Sequence, residues 1–451
     1  MNRRIALALC VLALPTACSS DDGSTPSTEG ELTYWQDIGP VFAKHCNGCH
    51  REGGIAPFRL DNYEEAKAHA ASIQYATQER IMPPWAATSD GSCGEFIDSL
   101  ALSDREIADI GRWVRNGAIP GTPASIEQPA IPTLKDATSF KTPKYTPVVA
   151  GGALAEHDDY RCFMVDPQIE GNQFVTGYEV QPGTPAIVHH MVAMLVDGEK
   201  PAEDPEYGTN LERMQALDDE SPGDGWPCFA GAGDSVNADA ALVVWAPGQG
   251  VVEYPNHAGV PLTSKHKLVI QVHYNLAEIH GLSDESELRL RIVPDVQNVA
   301  LFTLPDPFLE SIFGDSPEEL EPGKASVKYS WQQTYQQLGF DGLDSVQLYG
   351  VMPHMHELGH KYRMTIGSAG TAGGAGPTEQ CGADVQDWDF HWQRFYFYQQ
   401  PVTLTPKSTI RVTCDFDTSS RQEPVTPGWG TQNEMCLATL FVTVPRSAYG
   451  Q

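Results

Sequence analysis

The chain is poor in positive charge and has no long apolar run beyond its N-terminus. Its 451 residues include 29 Lys and Arg against 59 Asp and Glu, for a formal net charge of −30 at pH 7. Such an acidic surface disfavours nucleic acid and anionic membranes, and it suits neutral or basic partners such as a positively charged electron carrier. Because no later run approaches the ~18 apolar residues of a transmembrane helix, we expect membrane contact only through an N-terminal lipid anchor.

The first 17 residues are typical of an export signal, in which Arg3 and Arg4 precede the short apolar stretch 5–17. The sequence Leu14–Cys18 resembles a bacterial lipobox in which Pro15 replaces the usual Leu, so Cys18 is the predicted lipidation site. Ordinary signal cleavage nearby is the alternative. Residues 18–32 are rich in Ser, Asp, Gly and Thr, which predicts a flexible tether. We expect an exported protein, periplasmic or anchored in the outer membrane of a Gram-negative bacterium.

Ten cysteines support this location. Cys10 leaves with the signal, Cys18 is the lipidation candidate, and Cys46 and Cys49 belong to a motif described below. Six remain: Cys93, Cys162, Cys228, Cys381, Cys414 and Cys436. An even number of cysteines in an oxidising compartment predicts disulfide bonds, whose connectivity the spacing alone does not give.

Residues 33–120 are predicted to form a small all-α domain. Pro40 can begin the first helix, Ser103 and Glu106 have the spacing of a capping box, and Gly117 can end the helix that follows. The apolar face of that helix would consist of Ile107, Ile110, Trp113 and Val114. Residues 121–145 are rich in proline, which predicts a stiff, extended linker.

The remainder of the chain is predicted to be mainly β. Short apolar and β-branched runs at 267–273, 287–293, 347–351 and 410–414 alternate with turns rich in Pro and Gly. This pattern is typical of antiparallel β-sandwiches and not of repeated βαβ units.

Residues 46–50 read Cys-Asn-Gly-Cys-His, which predicts covalently bound heme c. Two thiols at this spacing add to the two vinyl groups of one heme, and the adjacent His50 then faces the iron. A zinc knuckle would need a second ligand pair at similar spacing, and none lies nearby. A thioredoxin-like dithiol would not need His50 and would lie in a βαβ unit.

Met82 is the predicted sixth ligand of the heme iron, because a thioether opposite His raises the potential and favours electron transfer. It is followed by Pro83 and Pro84, which hold the backbone extended. The alternative is bis-histidine ligation through His45 or His69. The stretch 33–120 resembles small bacterial class I cytochromes c.

A second set of residues has the ligand types that suit copper. His354 and His356 are two residues apart, so in a strand both rings point to one face. His273 lies on a predicted strand and could supply a third imidazole. His189 and His190 are neighbours, which point apart on a flat strand and can share one ion only at a bulge or strand end. Met435 offers a thioether, and imidazole with thioether suits an ion that cycles between Cu(I) and Cu(II).

Five short motifs then occur in the order found in copper type II ascorbate-dependent monooxygenases, a family that this chain resembles from about 145 to 451. They are Asp159–Cys162, His189–Met191, Gln271–Tyr274, His354–Gly359 and Glu434–Cys436. The resemblance implies two tandem antiparallel β-sandwich, jelly-roll-like domains, at 146–300 and 301–451, and two copper ions facing each other across an open cleft.

The resemblance also implies roles for individual residues. An electron-transfer copper would be held in the first sandwich by His189, His190 and His273. The copper that binds O2 and attacks a substrate C–H bond would be held in the second by His354, His356 and Met435. The expected disulfides are Cys162–Cys228 and Cys414–Cys436. Cys93 and Cys381 are left over, and our hypothesis is that they form an interdomain bridge.

Three positions depart from the peptide-hydroxylating branch of this family. Met352 stands where that branch has an Arg that binds the substrate carboxylate, and Leu437 and Thr439 stand in place of Asn and Tyr. A peptide with a free C-terminal glycine is therefore not the expected substrate. Together with Met355, Met352 and Leu437 are predicted to line a more apolar pocket.

The sequence thus predicts an exported heme–copper monooxygenase that hydroxylates a C–H bond of a small organic substrate with O2. The fused cytochrome would replace ascorbate by passing electrons from a periplasmic donor to the His189/His190/His273 copper. One alternative is a heme–copper electron-transfer protein without hydroxylase activity. Another is a jelly-roll binding module, which would have no affinity for copper.

Overall fold

The computed structural model describes residues 31–449, except 55, 129, 131, 150–157, 229–230, 248, 277–280, 312–317, 369–377, 391 and 429–432. The predicted signal, Cys18 and nearly all of the tether 18–32 therefore lie outside the described residues. Within the described part of the chain, none of the helices is both long and apolar enough to cross a membrane.

The segment 33–120 forms a small helical unit with its own core. A turn of π-helix, Tyr34–Ile38, is followed by α1 Gly39–His45, α2 Tyr63–Ala68, α3 Ala70–Gln78 and α4 Asp104–Arg115. Pro40 lies in the first turn of α1, and Ser103 and Glu106 form the predicted capping box at the start of α4. Trp113 of α4 and Phe42 of α1 are fully buried against each other, with their rings 6.1 Å apart.

Among the described residues, ten strands and one α-helix occupy the first half of the region after the helical unit, together with a 3-10 turn at Pro205–Tyr207. They are β1 Thr138–Lys141, β2 Asp158–Val165, β3 Asn172–Gln181, β4 Val188–Asp197, α5 Asn210–Glu220, β5 Trp226–Pro227, β6 Ala240–Trp245, β7 Val252–Glu253, β8 Ala258–Thr263, β9 His266–Asn275 and β10 Glu287–Val293. The predicted strand runs 267–273 and 287–293 lie in β9 and β10.

In the described part of the second half there are eight strands and one short α-helix, followed by a 3-10 turn at Arg446–Ala448. They are β11 Asn298–Thr303, α6 Pro307–Glu310, β12 Val327–Thr334, β13 Val346–His354, β14 Gly359–Ser368, β15 Thr378–Val385, β16 Tyr396–Leu404, β17 Ser408–Phe416 and β18 Leu437–Pro445. The predicted runs 347–351 and 410–414 lie in β13 and β17, so the expectation of a mainly β chain is confirmed.

These strands form three sheets around two apolar cores. A five-stranded sheet has the order β5-β2-β9-β4-β6, and a four-stranded sheet has the order β12-β17-β14-β15. A nine-stranded sheet has the order β1-β10-β3-β8-β11-β18-β13-β16, with β7 also paired to β3. One core lies between β3, β8 and β10 and the five-stranded sheet, and the other lies between β13 and β18 and the four-stranded sheet.

The two sandwiches are not separate, because one sheet of each belongs to the same nine-stranded sheet. The join is a short parallel pairing of β8 with β11, in which Ala258 lies opposite Asn298. The expected domain boundary at 300/301 therefore falls inside β11. The predicted linker 121–145 also differs from the structure, because β1 within it pairs along its length with β10.

The helical unit attaches to the second sandwich at its open side, where β15 and β16 are the edge strands of two different sheets. Ala87 forms a β-bridge with Val385 at the end of β15, and Phe96 forms one with Tyr398 in β16. The Cys93–Cys381 disulfide joins the same segment to β15. The hypothesis of an interdomain bridge between these two cysteines agrees with the structure.

Candidate copper and heme sites

The first histidine cluster lies where β4 pairs with β9. The register shifts between Val188 and His190, so His189 sits at a β-bulge and His190 lies opposite His273. A bulge turns one side chain away from strict alternation, which brings neighbouring residues to the same face. The bulge therefore allows His189 and His190 to bind one ion, as the sequence required of two neighbouring histidines.

Three ring nitrogens converge in this cluster. The Nδ1 atom of His273 lies 3.3 Å from Nδ1 of His189 and 3.5 Å from Nδ1 of His190. The ligand atoms of the three rings all lie within 4.8 Å of one another. Two nitrogens bound about 2.0 Å from one ion at angles of about 110–120° would be separated by roughly 3.3–3.5 Å. The spacing therefore fits a single metal ion, and neutral imidazoles suit copper.

Two neighbours orient the His273 ring. Its Nε2 atom lies 3.2 Å from Oδ1 of Asp158, and its face stacks on Tyr160 at a centroid distance of 4.1 Å. A carboxylate on the far nitrogen fixes the ring tautomer and directs the other nitrogen toward the ion. Asp158 lies outside the motifs found in the sequence, because the pairing of β2 with β9 brings it to His273.

The second cluster lies at the end of β13. His354 is the last residue of this strand, and His356 follows just beyond it. Their rings are 5.1 Å apart and nearly perpendicular. The Nδ1 atom of His354 lies 2.5 Å from Oε1 of Gln393, and Nδ1 of His356 lies 3.0 Å from the carbonyl oxygen of Asn433. With both Nδ1–H groups donating to these oxygens, both Nε2 atoms can serve as metal ligands.

A buried carboxyl group fixes the backbone around His356. Glu434 is fully buried and accepts hydrogen bonds from the backbone N–H groups of His356, at 2.8 Å, and Leu358, at 2.6 Å. Burial raises the pKa of Glu434 to about 8, although these backbone donors and that of Met435 act in the opposite direction.

Met435 lies on the chain segment that follows this carboxyl group. In the antiparallel pair β13–β18, His354 lies opposite Leu437, and the same register continued by two residues places Met435 opposite His356. Met435 is 3% exposed and forms a small apolar cluster with Leu437. Burial, together with the neighbouring His356, lowers the pKa of His354 to about 3, which keeps this ring neutral.

Cys46, Cys49 and His50 lie in the turn that continues from α1. The His50 N–H donates to the Cys46 carbonyl at 2.9 Å, and His50 Nδ1 donates to the Phe58 carbonyl at 3.0 Å. This leaves His50 Nε2 for an iron ligand, and burial lowers the pKa of His50 in favour of the neutral ring. Among the described cysteines, only Cys46 and Cys49 form no disulfide. Free thiols beside a neutral imidazole fit covalent attachment of heme.

The two alternative histidines have other contacts. His45 is buried, with Nδ1 3.1 Å from the Leu100 carbonyl and Nε2 3.2 Å from Glu106 Oε1, so both its nitrogens are engaged. The His69 ring stacks on Phe58 at 4.0 Å. Met82 is half-buried just after α3, where its N–H donates to the Ala76 carbonyl. The hydrogen bonds engage both nitrogens of His45, whereas stacking leaves those of His69 available, so Met82 as the sixth ligand stays a prediction.

Sequence reasoning missed the loop 386–395, which connects β15 to β16. Besides Gln393, it contains Phe390, whose ring lies 6.5 Å from the His190 ring and 6.1 Å from the His356 ring. The Phe390 ring therefore lies near one imidazole of each histidine cluster. The loop contains Asp387, Asp389 and His391, but Gln393 and Phe390 belong to none of the family motifs, so the sequence did not single them out.

Met352 and Leu437, two of the residues predicted to line an apolar pocket, are almost fully buried beside His354. Met352 and Thr439 form a cross-strand pair next to His354 and Leu437, so these four side chains share one face. Met355, by contrast, points to the opposite face and is fully buried in the second core. The inclusion of Met355 in the pocket was wrong, because residues alternate between the two faces of a strand.

The disulfides Cys162–Cys228 and Cys414–Cys436 are present as expected. Each disulfide joins a strand to a neighbouring segment, one in the first sandwich and one in the second. Cys162 is in β2, beside the β9 strand that carries His273, and Cys436 directly follows Met435.

Comparison with known proteins identifies both halves of the β region. Residues 153–280 match the model of the copper type II ascorbate-dependent monooxygenase N-terminal domain, and residues 320–443 match that of the C-terminal domain. The first match contains His189, His190 and His273, and the second contains His354, His356 and Met435. Together the two matches cover more than half of the chain.

Individual relatives are distant. DBH-like monooxygenase protein 1 of Homo sapiens is 24% identical over 210 residues, which are 46% of this chain and 33% of that protein. Tyramine beta-hydroxylase of Caenorhabditis briggsae is 24% identical over 270 residues, which are 58% of this chain and 40% of that protein. The matched part thus spans between a third and two-fifths of these relatives.

Among solved structures, the infectious bursal disease virus VP2 subviral particle is 12% identical with a TM-score of 0.19, covering 73% of this chain and 76% of that one. A likeness this weak supports no inference about fold or function. The two domain matches, in the expected order along the chain, are decisive: the chain belongs to the copper type II ascorbate-dependent monooxygenase family.

Proposed function

We propose that this protein is an exported monooxygenase that hydroxylates a C–H bond of a small organic substrate with O2. One copper ion would be held by His189, His190 and His273, and a second by His354, His356 and Met435. A heme c on Cys46 and Cys49, with His50 and Met82 as axial ligands, would deliver the electrons. The convergence of the three Nδ1 atoms in the first cluster is the observation that supports this proposal most strongly.

Bound copper would supply one-electron redox chemistry at both clusters and O2 activation at the second. The chain's own residues hold the ligands in place for it. Asp158 places a carboxylate oxygen 3.2 Å from Nε2 of His273. Gln393 and the Asn433 carbonyl accept from the Nδ1–H groups of His354 and His356, and Glu434 fixes the backbone of His356. In total, one C–H bond and one O2 consume two electrons and two protons, and they yield an alcohol and water.

The substrate proposal rests on the face shared by Met352, Leu437 and Thr439 beside His354. None of these side chains is charged, so an apolar group suits this face better than a carboxylate does. The name of tyramine beta-hydroxylase states that this relative hydroxylates tyramine. We propose only the class of C–H hydroxylation for this chain, since no residue here specifies an amine.

Location and electron supply complete the proposal. The three disulfides are consistent with an exported protein, and Cys18 would anchor it by a lipid. The electrons would come from a periplasmic donor, for which the net charge of −30 favours a basic carrier protein.

The first test is the copper content per heme of protein matured with heme and loaded with Cu(II), together with its electron paramagnetic resonance (EPR) spectrum. We expect two type II copper ions per heme, and heme attachment that survives denaturation. The Cys46→Ser/Cys49→Ser double variant should lose covalent heme but keep both copper ions. Protein without copper affinity would instead indicate a binding module.

The second test is turnover with ¹⁸O2, a chemical reductant and a panel of small organic compounds, read by mass spectrometry. Incorporation of one labelled oxygen atom into a product is expected, and it should disappear in His356→Ala. Two bound copper ions with reversible heme reduction, but no labelled product across the panel and no reductant-dependent O2 uptake, would favour an electron-transfer protein without hydroxylase activity.

A further inference from the structure

The loop 386–395 contacts the second cluster through Gln393. The side-chain oxygen of Gln393 accepts from His354 Nδ1, and its Nε2 donates to the Phe390 carbonyl at 2.8 Å. Gln393 is 9% exposed, so water competes little for these bonds. One amide group therefore fixes both the ring of a proposed copper ligand and the turn that carries Phe390.

The next residue, Arg394, faces the helical unit. Its guanidinium lies over the ring of Trp85, 4.8 Å from the centroid, and its buried Nε atom has no hydrogen-bond partner. Trp85 follows Met82 by three residues, so this contact places Arg394 against the segment 82–85, which carries the proposed sixth ligand.

Backbone contacts hold this arrangement on both sides of the loop. On the β15 side, the Thr88 N–H donates to the Asp384 carbonyl at 2.8 Å, and Cys93 is bonded to Cys381. On the β16 side, the Ile97 N–H donates to the Phe397 carbonyl at 2.8 Å. These contacts all fall on the second sandwich, not on the strands that carry His189, His190 and His273.

We propose that electrons pass from the heme directly to the second cluster through Arg394 and Gln393, and that they reach the first cluster only afterwards, across Phe390. This inference rests on the proposed function. In each step one electron leaves ferrous heme, which becomes ferric, and reduces one Cu(II) at His354, His356 and Met435 to Cu(I). No covalent bond or proton is involved. The reductant of the heme is the donor protein or, in the test, dithionite.

The order of electron arrival differs from the expectation that the first cluster receives electrons from the heme. Arg394 and Gln393 act here as positioning residues, because Arg394 contacts Trp85 in the segment 82–85 and Gln393 is bonded to the His354 ring. Gln393 is hydrogen-bonded directly to His354 in the second cluster. The contact of the loop with the first cluster is made by Phe390, whose ring lies near His190 and also near His356.

The test uses full-length holoprotein with ferric heme and Cu(II), without O2 or substrate. One electron equivalent of dithionite per heme is added in a stopped-flow instrument, heme oxidation is followed by absorbance, and frozen samples are examined by EPR. In His273→Ala, which retains the second copper, we expect the heme to be oxidised within about twofold of the parent rate. In His354→Ala we expect heme oxidation to be about tenfold slower or more.

Variants of the loop test the route itself at saturating copper. Gln393→Ala and Arg394→Ala should each slow heme oxidation about tenfold while both copper signals persist. The matched control is Gln399→Ala, because Gln399 donates to the Phe96 carbonyl in the same contact but not to the loop. It should leave the rate unchanged. If Arg394→Ala does not fold, Arg394→Lys, which keeps the charge but not the planar group, provides the same comparison.

Two results would overturn the inference in distinguishable ways. Fast heme oxidation in His354→Ala, with slow oxidation in His273→Ala, would make the first cluster the receiving site and leave the heme–copper proposal intact. Heme that stays reduced in the parent protein while both copper ions remain Cu(II) would refute electron delivery by the cytochrome, and this inference with it.

Discussion

The two histidine clusters are built in different ways. In the first, two neighbouring strands supply all three rings, and one bulge brings them together. In the second, one strand end supplies two rings, while residues from distant segments, Gln393 and Glu434, set their orientation. A cluster of the first kind depends on local sheet pairing, whereas one of the second kind depends on loops that the tertiary fold must bring together.

The largest expected effect is the selective loss of one metal. His273→Ala should reduce bound copper from two ions to one by removing the central ring of the first cluster, and His354→Ala should do the same at the second. Metal analysis with EPR distinguishes the two remaining sites. If either variant lost both ions, the clusters would not be independent, and the comparison would fail.

In copper-free protein, removal of the Glu434 carboxyl group should lower the free energy of unfolding more than removal of the Asp158 carboxyl group at the first cluster. Glu434→Ala leaves buried N–H groups at His356, Leu358 and Met435 without their acceptor. We expect the free energy of unfolding of copper-free protein to fall by about 3–5 kcal/mol. Asp158→Ala, whose carboxylate is 20% exposed, should cost no more than about 1 kcal/mol. Equal losses in urea titrations would contradict the contrast.

The side chains that contact the far nitrogen of a ligating histidine should affect copper affinity at both clusters. Loss of the oxygen that accepts from a ligating ring typically costs about 10–100-fold in metal affinity. We expect this loss at the second cluster in Gln393→Ala and at the first in Asp158→Ala, each without effect on the other site. Competitive copper titration measures both, and an affinity that changes at the wrong cluster would show that the assignment of partners is mistaken.

The smallest expected effect concerns the face beside His354. The Oγ1 atom of Thr439 is buried and has no hydrogen-bond partner. Replacing it in Thr439→Val should stabilise copper-free protein by up to about 1 kcal/mol, because an unsatisfied polar atom becomes a methyl group of the same shape. A clear loss of stability in thermal unfolding would mean that the hydroxyl has a partner in solution.

Much of the fold followed from local patterns. The helix-capping residues Ser103 and Glu106, the strand alternation around 287–293 and the spacing of His354 and His356 act within a few residues, so the sequence displays them directly. The bulge at His189 was foreseen only as a condition, since a register shift depends on the partner strand. The shared nine-stranded sheet was not foreseen, because the pairing of β8 with β11 leaves no periodic signal.

The sequence by itself determined the chemistry that is available: a pair of thiols beside His50, two groups of imidazoles with a thioether, and enough cysteines for three disulfides. These are properties of residue type and spacing. The tertiary structure alone decided which groups meet. Asp158, Gln393, Phe390 and Arg394 belong to no motif. They reach the clusters and the segment 82–85 of the helical unit only because distant strands pair and the Cys93–Cys381 bond holds the helical unit on the second sandwich.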